Sequence, residues 1–125
     1  RERLNLWKKL FQHGGSGFLQ PHEIKGLIAE MLVLELLIRY GERDVHETVS
    51  GWIGPLGADQ DFMYSDRAIE VKAIGPGAES ISISSLEQLD CAVPMDLILA
   101  TLRPATPGEP GAIGLNALAA RIEGT

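Results

Sequence analysis

The sequence lacks the features that would place a protein outside the cell or in a membrane. Its single cysteine, Cys91, excludes an internal disulfide and fits a reducing compartment. The longest apolar run, residues 31–38, is interrupted by Glu35 and is too short to span a bilayer. No basic segment is followed by a small-residue cleavage site, so nothing marks the chain for secretion. We therefore expect a cytoplasmic protein without a membrane-spanning segment.

Positive charge is also scarce. The chain has 11 lysines and arginines against 17 aspartates and glutamates, which gives a formal net charge of -6 at pH 7. Proteins that bind a phosphate backbone usually carry a basic surface, so this balance argues against autonomous DNA binding. Because the chain starts at Arg1 without a methionine, we expect it to be a fragment of a longer protein, whose missing parts could carry DNA contacts.

The sequence has few residues that suggest a histidine or cysteine metal site. The three histidines, His13, His22 and His46, have no mutual spacing typical of such a site. Cys91 lies in an apolar helical stretch, where a buried structural thiol is favoured over a nucleophile. We therefore expect the histidines to be surface or capping residues and not metal ligands.

A chain of 125 residues is long enough for one domain with a single core. Residues 1–19 comprise a short amphipathic helix and a flexible glycine-rich connection. Residues 20–103 form the core. Residues 104–125 comprise a loop rich in proline and glycine and a closing amphipathic helix at 115–122. We predict a single α/β domain with a mixed central sheet flanked by helices.

The periodicity of the core predicts its elements in order. A helix begins at Pro21 and runs to about Tyr40, where Gly41 suits the C-terminal cap. Glu23 and Arg39 complement the dipole at its two ends. Three strands follow as an antiparallel meander, then a helix from Ser84 or Ser85, and then a strand buried on both faces that joins the sheet by a right-handed crossover. The predicted strands are residues 48–54, 60–64, 68–74 and 95–102, and the second helix ends at Cys91.

The chain is organised around residues 61–72, which read as two short strands joined by a turn. In the second strand Glu70 and Lys72 share one face, because side chains alternate along a strand. A turn at residues 65–67 can bring Asp61 beside Glu70. Two carboxylates and a lysine could then bind a divalent cation and position a water against a phosphodiester. The alternative is a hairpin with solvated charges on its outer face.

Glu30 is a second carboxylate position that points to a functional site. On a helical wheel Lys25, Glu35 and Arg39 cluster on one side, whereas Glu30 lies nearly opposite them among packed residues. A carboxylate on a packed face is costly unless it is paired or coordinated. We therefore expect Glu30 to face the Asp61 and Glu70 cluster, with the alternative that its head reaches water at the edge of the apolar stripe.

Four motifs in this order carry a resemblance to a known family. They are G-L-I-A-E-M-L-V-L-E-L-L, W-I-G-P-L-G-A-D-Q-D-F, A-I-E-V-K and I-S-S-L-E-Q-L-D. Together they resemble the PD-(D/E)XK nuclease superfamily, which has the restriction-endonuclease-like fold, and more narrowly an uncharacterised bacterial branch of it. The resemblance covers roughly residues 20–103. It implies an α-β-β-β-α-β core and a phosphodiesterase that requires Mg²⁺ or Mn²⁺.

The resemblance also implies a role for particular residues. Asp61 and Glu70 would bind the metal, with the Val71 carbonyl as a further oxygen ligand. Lys72 would orient or help deprotonate the attacking water. Glu30 would match a glutamate that the family contributes from its first helix, and Gln88 a polar residue on its second helix. One position departs from the family motif, because Gln60 replaces the proline of the family name. Asp59 competes with Asp61 as the metal ligand, since the two share a strand face.

These observations support two hypotheses of different classes. The first is a Mg²⁺-dependent DNA endonuclease of bacterial restriction, defence or DNA processing, acting as a homodimer or within a larger complex. The second is a non-catalytic module of the same fold that serves as a structural or partner-binding part of an assembly. The acidic balance favours the second, and the joint placement of the charged residues favours the first.

Overall fold

The structure, a computed structural model, describes residues 21–56, 60–75, 92–103, 105–106 and 108–124. Within these ranges it is an α/β fold with a three-stranded mixed sheet and packed helices, which confirms the predicted fold class. The predicted N-terminal helix, the extended segment at 80–84 and the helix ending at Cys91 lie outside the described residues. The proposed division into segments stays a prediction.

The first helix, α1, spans Pro21–Tyr40, as predicted. Proline is tolerated in the first turn, where its missing N–H has no helical partner, and Glu23 and Arg39 complement the helix dipole. Apolar residues on more than one side of this helix are buried in the core. They include Leu27, Ala29, Met31, Val33 and Leu34.

Residues 48–54 do not form the predicted first strand. A short helix, α2, spans Val45–Ser50, and a single 3-10 turn follows at Gly54–Leu56. Asp44 caps α2, because its carboxylate accepts a hydrogen bond of 2.7 Å from the Glu47 N–H. The β-branched residues Thr48 and Val49 favoured a strand, but the cap and their burial outweigh that propensity.

Two strands form the hairpin that carries the acidic motif. Strand β1, Phe62–Met63, is shorter than predicted, whereas strand β2, Ala68–Ile74, has the predicted bounds. They pair antiparallel with Phe62 opposite Ile69. Trp52 joins Phe62 only through an isolated bridge, so the expected three-stranded meander is reduced to a hairpin.

Strand β3, Met95–Thr101, pairs parallel with β2 over seven positions. A parallel partner at this point agrees with the predicted crossover. The prediction that both faces of this strand are buried is wrong, since Leu97 and Leu99 are 40% and 49% exposed. Alternate residues Ile98 and Ala100 pack against the core, because side chains of a strand point to opposite faces.

The closing helix, α3, spans Leu115–Glu123, one residue longer than predicted, and it packs on α1. Leu118, Ala119 and Ile122 bury its apolar face. Its Arg121 forms two hydrogen bonds of 2.7 and 2.8 Å with Glu35, which is only 7% exposed. Glu35 therefore belongs to a buried ion pair and not to a solvated charged face.

Arg121→Met should destabilise the fold by about 2–3 kcal/mol, because it leaves the buried Glu35 carboxylate with only the more distant Arg39, at 3.6 Å. The free energy of unfolding in urea measures the effect. Arg103→Met removes the partner of Glu109 in an exposed pair and should cost less than about 0.5 kcal/mol. Equal losses in both variants would contradict the assigned role of the Glu35 pair.

None of the helices in the described ranges combines the length and apolar character needed to cross a bilayer.

Candidate functional site

Three separate elements bring four charged side chains to one place. Glu30 comes from the middle of α1, Asp61 immediately precedes β1, and Glu70 and Lys72 lie on β2. Each of the three carboxylates affects the titration of another, since Asp61 raises the pKa of both Glu30 and Glu70. The structure thus brings these four side chains together, and their chemical roles stay a prediction.

The Glu30 carboxylate is held by two neighbours. Its Oε1 accepts a hydrogen bond of 2.9 Å from the Trp52 indole Nε1, and the carboxylate also shares a hydrogen bond with the Asp61 side chain. Burial, and then the charge of Asp61, raises the pKa of Glu30 to about 8. Burial and the neighbouring carboxylate thus favour the protonated form of Glu30.

Asp61 is fixed through both its side chain and its backbone. Its Oδ2 accepts a hydrogen bond of 2.8 Å from the Val71 backbone N–H, and its carbonyl accepts bonds of 2.9 Å from Ile53 and from Gly54. Burial raises the pKa of Asp61, whereas the Val71 N–H and the charge of Lys72 act in the opposite direction. The aspartate is thus tied to β2 and to the segment before it.

Glu70 is the most enclosed of the three acids, at 4% exposure. Its Oε2 lies 3.4 Å from the Lys72 Nζ, whereas its Oε1 is buried and has no hydrogen-bond partner. Burial and the charge of Asp61 raise the pKa of Glu70, and Lys72 lowers it. An unpartnered buried carboxylate oxygen is costly, and a bound cation would satisfy it.

The donor set fits a hard divalent cation. Asp61 and Glu70 supply oxygens, which are the ligands that Mg²⁺ and Mn²⁺ prefer. The Glu70 Oε1 has no hydrogen-bond partner and is therefore available to such a cation. In this conformation no group of three histidine, cysteine, aspartate or glutamate side chains in the described part of the chain is arranged as a metal cage. Hydrogen bonds from Trp52 and Val71 occupy one oxygen each of Glu30 and Asp61.

Sequence reasoning missed two residues of the site and reached two that the structure does not describe. Gln88 and Asp59 lie outside the described residues, so their roles stay predictions. The Val71 N–H binds Asp61, and the proposed use of the Val71 carbonyl also stays a prediction. The missed residues are Trp52 and Gly54. Their signal was a tryptophan two residues before a glycine-proline turn in a segment that was assigned to a strand.

A cavity of about 850 Å³ lies elsewhere, between the start of α1, the end of β3 and the loop before α3. Apolar and polar residues line it together, including Lys25, Arg103 and Arg121. None of the four clustered charged residues lines it. Two of its cationic side chains are already paired, Arg103 with Glu109 and Arg121 with Glu35. The chemistry therefore favours the carboxylate cluster over this cavity.

Comparison with known proteins gives one match. A family model described as "Putative PD-(D/E)XK family member, (DUF4420)" matches residues 1–125. No curated protein and no solved structure matches the chain.

Proposed function

The chain belongs to the DUF4420 family of PD-(D/E)XK proteins, and we propose from this premise that it is a metal-dependent DNA endonuclease that hydrolyses phosphodiester bonds. The observation that supports the proposal is the convergence of Glu30, Asp61 and Glu70 with Lys72 at one end of the hairpin. A solvated hairpin would not hold a carboxylate at 4% exposure with an unpartnered oxygen.

In this proposal Asp61 and Glu70 would hold Mg²⁺ or Mn²⁺, with the Val71 carbonyl as a further oxygen. When bound, the cation would supply charge stabilisation at the phosphate and would lower the pKa of a water. Lys72 reaches the same side as Glu70, so its Nζ can orient the attacking water and donate hydrogen bonds to the phosphate. Glu30 contributes a third oxygen donor next to Asp61, and Gln88 a polar contact from its predicted helix.

The biological setting is part of the same proposal. A nuclease of this family would act in the bacterial cytoplasm, in restriction, defence or DNA processing, as a homodimer or within a larger complex. The net charge of -6 makes a supporting partner or flanking segment important, because phosphate backbones are bound by basic surfaces. A metal cation held by the carboxylates would offset part of the repulsion between the acidic site and the DNA phosphates.

Cleavage of supercoiled plasmid DNA tests the activity. The purified protein should nick or cut the plasmid with Mg²⁺ or Mn²⁺ and should stop when a chelator removes the metal. Linear and single-stranded DNA serve as further substrates. If no substrate is cut faster than in a protein-free control under any of these conditions, the nuclease proposal fails for this chain.

A second candidate function is a non-catalytic module of the same fold. The acidic balance favours it, and so does the hydrogen bond by which Glu30 and Asp61 satisfy each other without a cation. Such a module would bind a partner protein and would have no need for metal.

Calorimetric titration with Mn²⁺ separates the two functions. The nuclease proposal expects a site whose affinity falls at least tenfold, about 1.4 kcal/mol, in Asp61→Asn. Asp96→Asn changes an exposed aspartate of β3 that pairs with Arg67, so its affinity should stay within about twofold of wild type. Absence of Mn²⁺ binding by the wild type would favour the module.

A further inference from the structure

Trp52 connects the two acids that come from different elements. Its side chain is fully buried, and its ring stacks on Phe62 with centroids 6.4 Å apart. Phe62 follows Asp61 directly in the chain, whereas the indole Nε1 donates to Glu30 on α1. The tryptophan therefore lies between the helix that carries one carboxylate and the strand that begins after the other.

Gly54 lies against both carboxylates. A β-carbon at this position would be 2.5 Å from the Glu30 Oε1 and 2.9 Å from the Asp61 Oδ1. Both distances are far inside van der Waals contact, so any side chain here would move at least one of the acids. The Gly54 N–H and the Ile53 N–H also bind the Asp61 carbonyl, which fixes the segment relative to the aspartate.

We propose that Trp52 and Gly54 set the position of the Glu30 carboxylate against Asp61. Trp52 is a positioning residue that orients Glu30 through its N–H, and Gly54 leaves the space in which the two acids approach. The use of these acids in metal binding rests on the proposed function, whereas the positioning itself does not.

The arrangement is more than a way to satisfy a buried indole. A buried tryptophan needs an acceptor for its N–H, and a backbone carbonyl would provide one at little cost. Here the acceptor is a carboxylate that already lies beside a second carboxylate, which is costly in a metal-free protein. The cost is explained if the position of Glu30 matters to the site.

A methyl group added at Gly54 tests the proposal. Gly54→Ala should weaken Mn²⁺ binding at least tenfold in calorimetry and weaken DNA cleavage in parallel. Gly26→Ala is the matched control, because a β-carbon there meets no atom within 4 Å, and it should leave Mn²⁺ affinity within about twofold of wild type. Equal affinity of Gly54→Ala and wild type, with both folded by circular dichroism, would overturn the proposal.

A second measurement leaves the backbone and Trp52 intact and needs no cation. Nitrogen-15 NMR shows the indole N–H of each tryptophan, and Trp7→Phe assigns the resonance of Trp52, since the chain has two. Glu30→Ala removes the acceptor of the indole N–H and should shift that resonance by more than its line width, and Gly54→Ala should also shift it. Glu42→Ala changes an exposed glutamate and should leave the resonance in place.

The two proposals fail separately in these measurements. An indole resonance that does not respond to Glu30→Ala overturns the positioning role, whatever the activity. If the indole and its Gly54→Ala shift behave as expected while no DNA is cut, the positioning role stands and only the nuclease proposal fails.

Discussion

Lys72→Met should reduce DNA cleavage by about a thousandfold or more at saturating Mn²⁺, which corresponds to about 4 kcal/mol of transition-state stabilisation. Methionine keeps much of the length of the side chain but removes its charge and its three N–H donors. The loss follows because the Lys72 ammonium group is proposed to contact the water and the phosphate, and its Nζ lies 3.4 Å from the Glu70 Oε2. Single-turnover cleavage rates with excess enzyme measure the effect.

The control for this prediction is Lys72→Arg. Arginine keeps a positive charge beside the buried Glu70, so stability and Mn²⁺ affinity should remain close to wild type. Its guanidinium cannot give up a proton, so cleavage should still be slow if Lys72 helps to deprotonate the water. A Lys72→Met variant that cleaves as fast as wild type would remove Lys72 from the mechanism.

Glu30→Gln should make the metal-free protein more stable at pH 8, by about 1–3 kcal/mol. The amide can accept the Trp52 N–H with its oxygen and donate to Asp61 with its nitrogen, so it reproduces the protonated acid without its titration. Metal binding and cleavage should weaken in the same variant, because an amide is a poorer ligand for a hard cation than a carboxylate.

The sign of the pH dependence follows from the raised pKa of Glu30. The folded protein binds this proton up to about pH 8, whereas the unfolded chain releases it near the ordinary value of 4.5. The stabilising contribution of Glu30 protonation is therefore fully present below about pH 4.5 and is lost as the pH rises through about 8. The loss is at most about 5 kcal/mol, since one pKa unit equals about 1.4 kcal/mol. The pKa values of Asp61 and Glu70 are also raised, which gives the same sign.

Urea unfolding of the metal-free wild type and Glu30→Gln at pH 5, 6.5 and 8 measures this effect. The wild type should lose stability across the series, and the variant should lose much less. Adding Mg²⁺ at pH 8 should restore stability to the wild type more than to the variant. Glu42→Gln changes an exposed position and should show the same pH dependence of stability as the wild type. If the stability of Glu30→Gln falls with pH as steeply as that of the wild type, the raised pKa assigned to Glu30 is contradicted.

The elements that the sequence predicted well are those with strong local patterns. Helix α1 has a proline start, dipole-matched ends and a long apolar stripe. Strand β2 alternates apolar and charged residues from Ile69 to Ala73. The placement of Glu30 also follows from a local rule, because its angular position on the helix depends only on periodicity. These signals lie within single elements, so no tertiary information is needed to interpret them.

The features that were missed depend on contacts between distant parts of the chain. Glu35 is buried because Arg121, 86 residues away, meets it across a helix interface. Residues 48–54 have strand-like composition, but the Asp44 cap and the bond from the Tyr64 hydroxyl to the Thr48 carbonyl hold a helix there. Gly54 is required by the approach of Glu30 and Asp61, which no local pattern expresses.

The unequal lengths of the strand pairings make the position of Asp61 depend on residues outside the sheet. Strands β2 and β3 share seven paired positions, whereas β1 and β2 share two. The segment that holds Asp61 is fixed instead by bonds to residues 51–54, because the Asp61 carbonyl accepts from Ile53 and Gly54 and the Met63 N–H donates to the Gly51 carbonyl. A change within residues 51–54 should therefore move one carboxylate of the site while it leaves the pairing of β2 with β3 intact.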